Sequence, residues 1–183
     1  VNLIDIDNDG DLDLFTDSIT YGGFYSFNTN FNYQENIGSP TNPDFKLPEL
    51  NPFNLSLIPN DPAFIKHRNF VDLDGDGDFD ILENAIYYGY YGYTTKYRYY
   101  ENIGSSSLAS FTNPIINPFG LQDSDVQFTS LGDIDNDGDY DIINQGFTTY
   151  SAGFFYIENI GTGLSPAFTT PQTNPFNLGF TSG

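Results

Sequence analysis

The chain has 183 residues and carries 25 acidic against 5 basic side chains, a formal net charge of −20. Such a balance excludes polyanionic partners, because nucleic-acid phosphates and anionic membrane surfaces are held by Lys and Arg. Aromatic residues make up 17% of the chain and Cys is absent, so material for a core is present while disulfides and thiol chemistry are not. No run approaches the length of an apolar membrane helix. The chain begins at Val1, without Met and without a signal-peptide pattern, and reads as a processed chain or a fragment of a longer one.

The apolar run Val1–Ile4 reads as a strand entering an acidic loop, Asp5-Ile6-Asp7-Asn8-Asp9-Gly10-Asp11-Leu12-Asp13. Leu12–Phe15 leaves the loop as a second strand. A Gly/Tyr turn zone at Tyr21–Gly23 precedes an aromatic strand ending in Glu-Asn-Ile-Gly at Glu35–Gly38. Phe45 follows, on an expected short outer strand, and then Asn51-Pro52-Phe53.

The same order returns twice. The second unit has Phe70–Val71, the loop Asp72-Leu73-Asp74-Gly75-Asp76-Gly77-Asp78-Phe79-Asp80 and Phe79–Leu82. Its turn zone is Gly89–Gly92, followed by Glu101–Gly104, Phe111 and Asn117–Phe119. The third has Phe128–Leu131, the loop Asp133-Ile134-Asp135-Asn136-Asp137-Gly138-Asp139-Tyr140-Asp141 and Tyr140–Ile143. Its turn zone is Ser151–Gly153, followed by Glu158–Gly161, Phe168 and Asn174–Phe176. The loops begin 67 and 61 residues apart, and the Glu-to-Asn interval is 16 residues in every copy. Three landmarks in fixed order make 1–183 one repeat domain, with approximate repeats 1–64, 65–125 and 126–183.

No segment keeps a 3.6-residue apolar period between helix caps, so the expected class is all-β with almost no helix. Four short strands per unit predict β-propeller-type blades, about three four-stranded antiparallel repeats. A closed ring takes roughly 4–8 blades, so the chain reads as a segment of a larger propeller. Completion by several chains and an open array are the alternatives.

The loops predict metal binding. Asp at positions 1, 3 and 5 (Asp5, Asp7, Asp9; Asp72, Asp74, Asp76; Asp133, Asp135, Asp137) sets three carboxylates inside one tight turn. Gly at position 6 (Gly10, Gly77, Gly138) permits the bend. Asp11, Asp78 and Asp139 at position 7 are expected to ligate through the main-chain carbonyl, and Asp13, Asp80 and Asp141 at position 9 to close the sphere. Calcium takes about 6–8 oxygen ligands, magnesium demands a strict octahedron, and zinc prefers the Cys and His that the loops lack. The expected cofactor is Ca2+, about three ions, each relieving the repulsion among five crowded carboxylates.

The pattern Asp-x-Asp-x-Asp-Gly-x-x-Asp between strands, with an aromatic strand ending in Glu-Asn-Ile-Gly, resembles the FG-GAP/VCBS repeat family, the calcium-binding propeller blades also found in integrin α subunits. The wording is similar to the bacterial, Bacteroidetes-like secreted type. The resemblance covers the whole chain. It implies an extracellular or cell-surface location and a role in adhesion or glycan binding, or beside an enzyme domain.

Other residues carry weaker signals. The run from Tyr87 to Tyr93 is the most unusual segment, and Tyr90, Tyr91 and Tyr93 are the candidates for contact with a glycan or protein, as Tyr stacks and hydrogen-bonds. The alternative is sheet packing. His67, the only histidine, lies between Lys66 and Arg68, and a lone His without an obvious nucleophile partner is weak evidence for catalysis, so a solvated or structural role is expected. Fifteen of the 25 acids lie in the loops, so a glycosidase-type carboxylate pair is not needed to explain them. Glu35, Glu101 and Glu158 recur in every repeat and are expected to be structural. Asn54-Leu55-Ser56 fits a glycosylation sequon, and Asp17-Ser18-Ile19 a bacterial O-glycosylation signal.

The expected function is therefore a non-catalytic calcium-binding propeller segment of a secreted or surface protein, acting in adhesion or recognition. A lectin-like module, a repeat of a surface filament and an accessory part of a polysaccharide-degrading enzyme are the alternatives. Expected partners are a glycan or a cell-surface protein, with further repeats of the same parent chain or other subunits. Nucleic acid and membrane insertion are not expected.

Overall fold

The computed structural model describes residues 1–21, 27–55, 58, 61, 63–89, 92–147 and 152–179. Those residues build three four-stranded antiparallel sheets and no α-helix. The first sheet holds β1 (Asn2–Ile4), β2 (Asp13–Tyr21), β3 (Phe27–Gln34) and β4 (Glu49–Leu50). The second holds β5 (Ala63–Val71), β6 (Asp80–Gly89), β7 (Gly92–Tyr100) and β8 (Ile115–Ile116). The third holds β9 (Val126–Gly132), β10 (Asp141–Phe147), β11 (Ala152–Ile157) and β12 (Gln172–Thr173). Every strand pairs with its chain neighbour within its sheet, so each unit is a simple meander.

The sheets face one another, and this explains their sequence. In β6, Ile81 points to the first sheet and Leu82 to the third, and both are fully buried. A strand covered on both faces is apolar on both, so β6 carries Ile81-Leu82 in succession instead of alternating with polar residues. One cluster, including Ile6, Phe15, Tyr33, Leu55, Ile81 and Phe111, fills the first junction. Another, including Leu73, Leu82, Tyr99, Leu121, Ile142 and Phe168, fills the second. Each fully buried Leu, Ile or Phe contributes roughly 1.5–3 kcal/mol.

Two features repeat at both junctions. The first strands lie side by side, β1 with β5 and β5 with β9. One backbone bond also crosses each junction: Phe111 N–H donates to the Phe53 carbonyl at 2.9 Å, and Phe168 N–H to that of Phe119 at 2.8 Å.

Polar interiors differ between the junctions. The first holds ions: Arg98 donates to Asp61 and Glu83, Arg68 Nε donates to Glu83 at 2.7 Å, and Lys66 pairs with Asp61 at 2.8 Å. Arg68 also reaches across to Asp17 of β2 and sits 3.8 Å from the centre of the Phe31 ring. The second junction is neutral: Asn84 Nδ2 donates to Thr129 Oγ1, which donates to Asn144, whose amide donates to the Tyr97 hydroxyl.

The outer strand falls elsewhere than expected. Phe45, Phe111 and Phe168 form single bridges, to Asn36, Asn102 and Asn159. The fourth strands are the two-residue pairs before each Asn-Pro-Phe. The reason is local: Asn36, Asn102 and Asn159 each accept two backbone N–H groups of the following loop, curling it away from the ladder. The second strands also start one residue later than expected, at the ninth loop residue, and β5 begins at Ala63, well before Phe70.

Candidate metal centres

Each acidic loop joins the first two strands of a sheet. In the first, the Asp5 carboxylate accepts Asp9 N–H and Gly10 N–H, both at 3.1 Å. Asp133 accepts the matching pair from Asp137 and Gly138. Asp72 accepts Gly77 N–H at 3.1 Å. These bonds close a tight ring that turns the carboxylates inward. The ring needs two left-handed residues. Position 6 has φ of 96°, 98° and 100° at Gly10, Gly77 and Gly138. Position 4 has φ of 58°, 71° and 65° at Asn8, Gly75 and Asn136. Glycine and, less readily, asparagine tolerate this region.

The ring gathers ligand atoms. Carboxylate oxygens of Asp5, Asp7 and Asp9 lie within 4.8 Å of one another, as do those of Asp72, Asp74 and Asp76 and those of Asp133, Asp135 and Asp137. These three triads can hold a metal ion. Buried oxygens without a hydrogen-bond partner support the fit, at Asp7 and Asp72 in the triads and at Asp11, Asp78 and Asp139 beside them. Asp11, Asp78 and Asp139 are only 6%, 7% and 7% exposed. A buried acceptor without a donor costs about 1–3 kcal/mol, more when charged, and a cation removes that cost. The all-oxygen donor set suits a hard ion.

Electrostatics agrees. Burial and then the charges of Asp76, Asp74 and Asp72 push the Asp78 carboxyl up to about 6. Burial and then Asp9 raise Asp7, and burial and then Asp76 raise Asp74. Without a cation these loops hold their protons more tightly than free carboxylates do.

The ninth-position residues stand apart from the triads. The Asp80 carboxylate accepts Tyr99 O–H at 2.7 Å, Leu73 N–H at 3.2 Å and Asn102 N–H at 2.8 Å. Asp13 takes Tyr33 and Asn36, and Asp141 takes Tyr156, Ile134 and Asn159, in the same arrangement. Both oxygens of each are therefore engaged by protein donors. Burial first, opposed by these bonds, raises Asp80 to about 7. The Tyr rings rest in turn on the Asn-Pro-Phe rings, Tyr33 on Phe53 at 4.8 Å, Tyr99 on Phe119 and Tyr156 on Phe176, both at 5.0 Å. The three repeating landmarks thus converge on one carboxylate per unit.

Sequence reasoning missed these tyrosines. A signal was present, since Tyr33, Tyr99 and Tyr156 each precede the repeated Glu by two residues. The ion cluster of Asp61, Glu83, Arg68 and Arg98 carried no such signal, because it does not repeat. Glu35 pairs with Lys46 at 2.6 Å on the surface. The backbones of Glu101 and Glu158 clasp Thr112 and Thr169.

Of the aromatic candidates, Tyr90 and Tyr91 lie outside the described residues. Tyr93 is 38% exposed and meets Tyr88 edge to face at 4.6 Å, with their hydroxyls 3.1 Å apart. His67 packs on Phe128 at 4.8 Å, and burial lowers its pKa. No family model matches the chain, and neither a curated protein nor a solved structure does.

Proposed function

We propose that the chain is a non-catalytic, calcium-binding β-propeller segment of a secreted or cell-surface protein of the FG-GAP/VCBS type, acting in adhesion or recognition. The observation that carries this reading is the loop geometry: three carboxylate triads, each beside a buried carboxylate oxygen that lacks a donor. Calcium accepts such a crowded, irregular oxygen shell, whereas magnesium keeps water and a strict octahedron. Extracellular modules work with weak sites, of about 10⁻⁴–10⁻³ M, because calcium is plentiful there. The propeller reading rests on three meander sheets packed face to face with their first strands adjacent.

Two features support a non-catalytic role. The buried acids outside the loops, Asp61 and Glu83, are neutralised by Lys66, Arg68 and Arg98. The loop acids recur in triplicate. Isothermal titration of metal-stripped chain tests the reading. Three calcium ions should bind per chain, with magnesium far weaker. Zinc preference, or no heat with calcium, would sink it. Exposed Tyr88 and Tyr93 favour glycan contact as a second reading. A glycan array run in calcium checks it, and silence across plant and algal polysaccharides removes it.

A further inference from the structure

Each of the first two acidic loops lies against the unit that follows it. In the second loop, the Asp72 carboxylate accepts Gly77 N–H and so closes a ring over residues 72–77. Leu73 belongs to that ring. Its side chain is 2% exposed and sits in the cluster between the second and third sheets, with Leu82, Leu121, Ile142 and Phe168. Gly75 belongs to the ring too. A Cβ there would stand 2.7 Å from the Gly163 carbonyl oxygen, in a third-unit turn closed by paired backbone bonds between Thr162 and Ser165. The ring of the second unit is thus part of the wall against which the third unit packs. Phe79 leans on the first cluster, but it follows the ring and is outside it.

A second route starts at the triad itself. The Tyr99 hydroxyl donates to Asp80 at 2.7 Å and stands 3.4 Å from Asp74 Oδ2. Its ring meets Phe119 at 5.0 Å, and the Phe119 carbonyl accepts Phe168 N–H from the third unit. The two backbones approach closely here, since a Cβ at Gly120 would lie 3.1 Å from the Phe168 carbonyl oxygen. The first unit is connected in the same way. Ile6, at the position of Leu73, is 3% exposed and shares with Phe111 the cluster between the first and second sheets. Tyr33 donates to Asp13, its ring meets Phe53 at 4.8 Å, and the Phe53 carbonyl accepts Phe111 N–H. Both junctions lie inside the chain, with a sheet on each side.

We propose that the ion of each loop clamps the junction that follows it. Occupancy of the first loop favours docking of the second unit, and occupancy of the second loop favours docking of the third. This inference rests on the calcium reading. An empty triad leaves carboxylate oxygens of three residues within 4.8 Å of one another, and their repulsion loosens the ring. A loosened second ring withdraws support from Leu73 in the junction cluster and from the turn at Gly163. Coupling of this kind is reciprocal, so a docked junction holds the ion of the loop before it more tightly. The ions therefore act junction by junction.

Amide NMR of the whole chain reads loops and junctions separately. The N–H groups of Gly10, Gly77 and Gly138 report occupancy of the three loops. Hydrogen exchange at Phe111 and Phe168 reports the two junctions, because an N–H bonded across a junction exchanges only when that junction opens. Asp9→Ala and Asp76→Ala each remove the exposed carboxylate of one triad. In calcium, Asp76→Ala should speed exchange at Phe168 by about 5–150-fold and leave Phe111 at the wild-type rate. Asp9→Ala should do the reverse. The unaffected junction serves in each variant as the control for folding. Exchange that accelerates equally at both amides in either variant, or at neither, overturns the proposal. Glycine amides that respond to calcium while both Phe amides keep their wild-type rates leave the calcium reading intact and remove the clamp alone. Glycine amides of the wild type that ignore calcium remove both.

Discussion

At the scale of single residues, the ninth Asp of each loop ties the loop to the sheet. Asp80 is fully buried and takes three protein donors, of which the Tyr99 hydroxyl is the shortest. Tyr99→Phe keeps the ring on Phe119 and removes that donor. The expected loss is about 1–3 kcal/mol, read by urea unfolding of the metal-stripped chain. Equal stability would show that the hydroxyl does nothing for the carboxylate. Asp78 and Asp80 have pKa values raised to about 6 and about 7. In the metal-stripped chain the folded state therefore holds more protons than the unfolded state between pH 4 and 7. Stability contributed by these groups is present at low pH and lost as pH rises through that window. Asp61 works oppositely: with its pKa lowered to about 2 it contributes above the ordinary carboxylate range and loses that contribution as pH falls toward 2. Calorimetric melts from pH 7 to 5 should show the midpoint of the metal-stripped chain rising on acidification. With calcium it should fall, because protons displace the ion.

At the scale of elements, two glycines in one loop do different work. Gly77 meets nothing within 4 Å where a Cβ would stand, so its need is purely for the positive φ. A Cβ at Gly75 would lie 2.7 Å from the Gly163 carbonyl oxygen, because a turn of the third unit abuts the second loop. Asn occupies this position in the other loops, at Asn8 and Asn136. Gly75→Asn should therefore lower the thermal midpoint while the other two loops bind calcium as before, which melts and calorimetry together would check. An unchanged midpoint would mean that the turn moves aside at no cost. The ion cluster is an element of the first junction alone, for Glu83 is replaced by Thr16 and Asn144 in the other units. Arg98→Met leaves Asp61 and Glu83 short of a partner in a dry site. The expected cost is about 3–5 kcal/mol. Breaking the half-exposed Lys46–Glu35 pair with Lys46→Ala should cost no more than about 1 kcal/mol. Chemical denaturation of both variants side by side would distinguish them.

At the scale of the whole molecule, three carboxylate triads able to hold an ion stand at equivalent places beside two packed junctions. Calcium that binds only the folded chain stabilises it by about 2.7 kcal/mol per site at a hundredfold excess over Kd. Thermal melts with calcium and with chelator should differ by a large midpoint shift, and coincident melts would deny the ions a structural role. The three loops, the all-β class and the three antiparallel units were legible in the residues because each depends on local rules: Asp spacing, left-handed Gly and Asn, and β-rich runs between turns. Repetition made them secure. The fourth strands lie before Asn-Pro-Phe through a local effect, since Asn36, Asn102 and Asn159 divert the preceding loop. Tertiary structure alone decided two things. It brought Asp61, Arg68, Glu83 and Arg98 into one cluster. It turned the ninth Asp of each loop toward Tyr and backbone donors. Each joins residues distant in sequence, and only the packing of sheets supplies that proximity.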